Sequence, residues 1–262
     1  MPKLFYTLSI LLVLLSASCK KDKEGTPEQK HIQLSKITTG GGGYYGYEYD
    51  ANGRMQKQIV YNSSLAATTT WMFTYDAGGR LTGYTQDYTR PENDDYKYVL
   101  SYTANGDIEK IVRSEAGGSV TNSYKYTYSA NGMALEQQDD AGAPQYKNEY
   151  VFNTGTKNIK EVKGYSYTSG EWQLQFHVVI ENYDNKKSQY SLFPKGIIYA
   201  PQLLEFFTAM PFINNPLLVR DGTRPSYTAN FTYEYNSDGY PTRCTFSDGA
   251  DPTTHEYQYN YQ

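Results

Sequence analysis

Three glycines, Gly41, Gly43 and Gly46, stand at the G-x-G-x-x-G spacing that lets a backbone approach a pyrophosphate. A dinucleotide site needs a strand before that pattern and a helix after it. Here a tyrosine-rich alternating segment follows, so the glycines read as a leader into a strand. Glu48, Asp50, Asn52 and Gly53 imitate the first half of a calcium loop. The twelfth position is Ile59 instead of a bidentate carboxylate, and an ordinary hairpin turn is expected. The histidines are His31, His177 and His255, without HExxH, paired cysteines or GxSxG, so no metal, cofactor or catalytic triad is expected. His177 is expected on the strand face opposite Trp172, Leu174 and Phe176, as a structural histidine. Asp94 with Asp95 and Asp139 with Asp140 fall in connections and read as solvated charge. Glycosidase carboxylates must instead flank a bond, about 5 to 10 Å apart. Two residues remain with chemistry to offer a ligand: Trp71 and Trp172, whose rings could stack on sugars or on a partner.

The elements that hold these side chains follow from composition and repetition. The 262 residues include 29 Tyr, 10 Phe and 2 Trp at a formal net charge of −4. Such a balance gives no basic field for nucleic acid. Tyrosine must carry much of the burial, and a β surface suits it. The segments YEYDANGRM, FTYDAGGRL, LSYTANGDI and YTYSANGMA place Gly53, Gly79, Gly106 and Gly132 at intervals of 26 or 27 residues. Weaker copies contain Gly155 and Asn185, and YEYNSDGYPT restores the register at Gly239. Each copy reads as a β-hairpin, with glycine supplying positive φ in the turn. Period-2 alternation puts Tyr96, Tyr98, Leu100 and Tyr102 on one face and Lys97, Val99 and Ser101 on the other. The expected fold is all-β: an antiparallel meander of seven or eight hairpins, curled or barrel-like and water-soluble. Residues 188–225 interrupt it. Pro194, Pro201, Pro211, Pro216 and Pro225 punctuate an apolar stretch there, and Pro201 could open a short helix with Leu203, Leu204, Phe206 and Phe207. A packing insert that covers a sheet face or closes a barrel end is the expectation.

The first residues carry an address. Lys3, the apolar run Leu4 to Leu15 and the small residues Ser16 to Ser18 form a secretory signal over 1–18. As a helix the run reaches about 18 Å, short of the roughly 30 Å of a bilayer core. The small residues ending at Cys19 resemble a bacterial lipobox, which implies acylation of Cys19. Lys20 to Lys30 holds nothing apolar and reads as a solvated tether, so 19–30 joins the lipid to a β domain over 31–262. Lys20 in place of Asp favours outer-membrane sorting, facing the periplasm or the cell surface, and the charged cluster resembles surface-export signals of Bacteroidota lipoproteins. Cys244 is the other cysteine, and no useful disulfide is expected.

The motif Y-x-Y-D-x-x-G-R-L, clearest at Phe73 to Leu81, resembles the YD repeats of Rhs-type proteins, whose hairpin strips curl into hollow shells. The whole plan is similar to Bacteroidota lipoproteins of unknown function described as porin-like in fold: lipobox, charged tether, YD-like hairpins, and a late NNP followed by YEYNSDGYPT. These motifs are turn motifs and imply architecture, not chemistry. A transmembrane barrel would need lipid-facing bands of Leu, Val and Phe, which a mean hydropathy of −0.70 disfavours. The expected role is a surface-anchored, non-catalytic lipoprotein acting as a binding or structural module, with a glycan or an envelope protein as partner. The alternatives are a glycan-active hydrolase in an unfamiliar β fold and an envelope protein–protein interaction module.

Overall fold

A computed structural model describes residues 31–89, 95–193, 213–224, 226–249 and 251–261. The expected signal, Cys19, the tether, Asp94 and the Pro201 helix lie outside them. Sixteen strands are described: β1 (Ile32–Thr39), β2 (Tyr44–Tyr49), β3 (Met55–Asn62), β4 (Ala67–Tyr75), β5 (Leu81–Tyr88), β6 (Tyr96–Tyr102), β7 (Ile108–Glu115) and β8 (Val120–Ser129); then β9 (Gly132–Asp139), β10 (Pro144–Phe152), β11 (Ile159–Thr168), β12 (Glu171–Tyr183), β13 (Pro216–Asp221), β14 (Thr228–Tyr235), β15 (Pro241–Ser247) and β16 (Thr253–Tyr261). Each pairs antiparallel with its neighbours in sequence. The terminal strands β1 and β16 pair with each other, from Ile32 opposite Tyr261 to Thr39 opposite His255, and close the sheet into a barrel. Closure leaves none of the described strands with an edge open to another chain.

Alternation decides what faces inward. In β6, Tyr98 and Leu100 are buried while Lys97, Val99 and Ser101 are exposed. Tyr84, Tyr98 and Tyr124 are no more than 2% exposed, so side chains fill the barrel at these levels. Tyr84 stacks on Tyr98 across β5 and β6 with ring centroids 4.4 Å apart. Sixteen-stranded porins instead enclose an aqueous channel. The outer wall carries cross-strand ion pairs: Lys57 with Glu48 at 3.1 Å, Arg220 with Glu181, and Arg243 with both Glu234 and Glu256. In a lipid-facing position, each Lys or Arg at mid-depth would cost about 2 to 4 kcal/mol.

The repeat motif has a physical explanation at one end of the barrel. Asp50 accepts hydrogen bonds from the backbone N–H of Asn52 and Arg54, and binds the Arg54 side chain at 2.7 Å. These bonds, led by the Arg54 N–H, hold the Asp50 carboxyl below the usual carboxylate range. Arg54 then lies over Tyr75 of the next hairpin, and the Tyr75 hydroxyl donates to the Met55 carbonyl at 2.6 Å. One repeat later, Asp76 holds Arg80, Arg80 covers Tyr102, and Tyr102 donates to the Leu81 carbonyl. Tyr49, Tyr128, Tyr183 and Tyr259 donate to the carbonyls of Leu34, Ile108, Ile159 and Pro241 in the same way. The phenol of each such hairpin therefore staples it to an earlier strand, each bond contributing about 0.5 to 1.5 kcal/mol net. Desolvation raises the pKa of Tyr49, Tyr75 and Tyr183, which keeps them protonated as donors.

Gly53, Gly79, Gly106 and Gly239 adopt φ between +75° and +83° in their turns. Gly132 departs from the expectation. It opens β9 opposite Ser129, leaving Ala130 and Asn131 as the turn, and a Cβ on Gly132 would fall 2.3 Å from the Tyr150 carbonyl oxygen. Its role is close approach of β10, not positive φ. Asn185 does not take the left-handed role either; among described residues the non-glycine positions with positive φ are Ala66, Lys157 and Ser169.

The tight-turn end is filled by the start of the insert. A short 3-10 helix, Gln189–Leu192, brings Tyr190 and Phe193 into the core, with the Phe193 ring 5.1 Å from that of Tyr47. Asn158 accepts from the N–H of Ile213 and Asn214, while Asp184 accepts from that of Asn215 at 3.0 Å. The NNP segment is thereby tied beneath the barrel before Pro216 opens β13.

Candidate functional site

The hairpin β11–β12 carries an outward aromatic cluster. Ser169 and Gly170 both have positive φ, the conformation of a two-residue hairpin turn. That turn sets Thr168 opposite Glu171 and Tyr167 opposite Trp172. The two rings meet edge to face with centroids 5.0 Å apart. Two residues on, the register shifts: Tyr165 faces Leu174, yet Gly164 faces Phe176, which leaves Gln175 as an extra residue on β12. This bulge resets the alternation. Phe176 turns in to pack against the core, while Trp172 and Leu174 remain outside with His177. The expected grouping of Trp172, Leu174 and Phe176 on one face, opposite His177, is therefore corrected. Gly164 makes the inward turn possible, because a Cβ there would lie 2.0 Å from the Phe176 ring.

The neighbouring strand completes the platform. Lys147 of β10 is in register with Tyr165, and its ammonium lies 4.7 Å from the Tyr165 ring centroid and 5.0 Å from that of Trp172. Glu149 pairs with Lys147 at 2.8 Å and accepts the Tyr165 hydroxyl at 3.1 Å. Burial pushes the Glu149 carboxyl up, but the hydrogen bond and charge of Lys147 bring it below its ordinary value. Glu161 is also held low, burial being outweighed by His177 and by Lys163 and Lys160. Tyr167 and Leu174 remain 37% and 47% exposed. The result is a cluster of apolar rings whose adjoining charges are already paired with one another. Such a surface can stack a ligand and offer fixed hydrogen-bonding groups. Its carboxylates stay ionised and are poorly suited to giving up a proton.

Solved structures provide three likenesses. A porin-like protein from Bacteroides uniformis shares 14% identity over 87% of this chain and 96% of its own, at a TM-score of 0.42. A second, from Bacteroides vulgatus, shares 13% identity over 88% and 99%, at 0.46. The Tc holotoxin pore of Photorhabdus luminescens shares 12% identity over 80% of this chain and 12% of that one, at 0.23. No family model and no curated protein matches the chain.

Trp71 takes no part in this platform. It points into the barrel at 3% exposure, with ring centroids of Tyr84 and Tyr98 at 5.7 and 5.9 Å. Its place opposite Gln58 and Gln86 puts it on the inward parity of β4, so the expectation of a ligand-binding Trp71 is corrected. Asp139 caps its turn by accepting the Ala143 N–H at 2.8 Å, and Asp95 accepts that of Tyr88 at 3.0 Å. Sequence reasoning missed Tyr165, Tyr167, Lys147 and Glu149. The signal for the first two was present: Ser169-Gly170 between alternating aromatics is a two-residue hairpin, and it places Tyr167 across from Trp172.

Proposed function

We propose that this chain is a non-catalytic binding module of the bacterial outer membrane, anchored by lipid on Cys19, whose β10–β12 platform takes a glycan. The observation that carries the reading is the outward cluster of Trp172, Tyr167, Tyr165 and Leu174, with Lys147 and Glu149 beside it. Flat rings match the C–H faces of sugars, and Lys147, Glu149 and the Tyr165 hydroxyl offer hydrogen bonds beside them. The chain joins β1 at Ile32, at the tight-turn end, whereas Trp172 stands next to the Ser169-Gly170 turn at the other end.

The test is a broad glycan array probed with the whole chain in detergent micelles, beside Trp172→Ala and Tyr167→Ala. Saturable binding that weakens about tenfold or more in both variants is expected. Absence of binding, or binding indifferent to both substitutions, would overturn the glycan reading. In that case Leu174 beside the rings favours a protein partner. Acyl labelling tests the anchor separately, since Cys19→Ala should abolish both labelling and membrane retention.

A further inference from the structure

We propose that the opposite side of the barrel rim holds a second site, for one neutral, hydroxyl-rich ring of monosaccharide size, under the glycine-rich loop between β1 and β2. A cavity of about 200 Å³ lies there between that loop and the β3–β4 connection, lined by Thr39, Tyr45, Val60, Asn62, Ser64 and His255 among others. It is smaller than the roughly 300 to 1,000 Å³ of sites for drug-sized ligands, which limits it to a single ring. No carboxylate, lysine or arginine lines it. The one imidazole in its lining, His255, is the single side chain there that can carry a positive charge, and a neutral ligand leaves no charge unpaired.

The lining divides as a sugar site requires. Tyr45 is 7% exposed and, with Val60, gives an apolar floor. His255 is held edge to face on Phe246, with ring centroids 5.6 Å apart. Thr39, Asn62 and Ser64 supply the polar rim. Asn62 uses its amide oxygen to accept the Leu65 N–H at 3.1 Å. Its amide nitrogen and the Ser64 hydroxyl have no partner among the described residues.

The glycines found by sequence make the roof. Gly42 sits at φ +79°, and a Cβ on Gly43 would fall 2.9 Å from the Tyr61 carbonyl oxygen, so the loop lies against β3 more closely than a side chain permits. Thr39 N–H donates to the Gly43 carbonyl at 2.9 Å, Gly42 N–H to the Thr39 carbonyl at 3.0 Å, and the Ser63 hydroxyl to the Gly41 carbonyl. These bonds fix the roof in advance, which lowers the cost of ordering it around a ligand. Gly41 and Gly43, expected as a leader into a strand, thus also shape a cavity for an uncharged ring.

Saturation-transfer NMR on the whole chain in deuterated detergent tests this, with glucose, galactose, mannose and N-acetylglucosamine as probes and glucuronate as the charged control. Saturable transfer to at least one neutral sugar is expected, stronger than to glucuronate. Filling the cavity with Ser64→Trp, or removing the amide with Asn62→Ala, should weaken it about tenfold or more, and Trp172→Ala should leave it unchanged. Three results would overturn the proposal: no transfer to any neutral sugar, transfer that survives in both cavity variants, or transfer lost in Trp172→Ala alone. The last would assign the sugar to the platform, so the two readings fail distinguishably. If Ser64→Trp fails to fold, as its melting temperature would show, Asn62→Ala decides.

Discussion

The hairpins β4–β5 and β11–β12 each carry one tryptophan, and the two rings end on opposite sides of the wall. In β4 the alternation runs unbroken from Ala67 through Trp71 to Phe73, so Trp71 shares the inward parity of Phe73 and is sealed between Tyr84 and Tyr98. In β12 the extra Gln175 separates Trp172 from the inward Phe176, Val178 and Ile180, and the ring stays outside. One inserted residue therefore converts a core position into a surface one. Residue type alone does not assign a role to an aromatic side chain in a tyrosine-rich barrel; parity relative to the partner strand does.

The strongest perturbation of the inward-facing region is alkali. Desolvation raises the Tyr84 and Tyr126 phenols well above the ordinary 10.0, with further contributions from neighbouring tyrosines. A phenol whose folded pKa exceeds its unfolded value stabilises the fold fully below about pH 10, and that contribution is lost as pH rises towards the folded pKa. Ultraviolet titration should show these rings ionising together with cooperative unfolding above pH 10. Smooth ionisation of every tyrosine with the fold intact would contradict the packed interior.

Next in size, Trp71→Ala should cost about 3 to 5 kcal/mol, the usual loss for a large aromatic cut from a core, while Trp172→Ala should stay within about 1 kcal/mol. Urea unfolding of the pair checks this, and equal losses would erase the contrast. Gly164→Ala should cost about 1 to 3 kcal/mol by driving a methyl into the Phe176 ring. An unaltered midpoint would mean that Phe176 does not turn inward beside Gly164. The smallest effect belongs to the repeat staple: Tyr75→Phe removes the bond to the Met55 carbonyl and should cost about 0.5 to 1.5 kcal/mol in the same assay.

Much of the architecture was legible because it is local. The D-x-x-G turn and the tyrosine alternation declare hairpins within a few residues, as at Asp50 to Arg54 and at Tyr96 to Tyr102. Gly132 misled because its glycine answers to Tyr150 on a later strand instead of to its own turn. The bulge at Gln175 and the pairing of β1 with β16 are likewise set by non-local partners, and period-2 counting has no access to them. The platform was half visible. Trp172 stood out by type, but its outward direction, and the arrival of Lys147 and Glu149 from β10, depend on register.

Collisional quenching of tryptophan fluorescence by acrylamide tests the central claim most directly, since the chain has two tryptophans and each can be observed alone. With Trp172→Phe, emission from Trp71 should be blue-shifted and weakly quenched. With Trp71→Phe, emission from Trp172 should be red-shifted and readily quenched. Equal accessibility, or a Trp71 more exposed than Trp172, would contradict a barrel that buries one ring and presents the other.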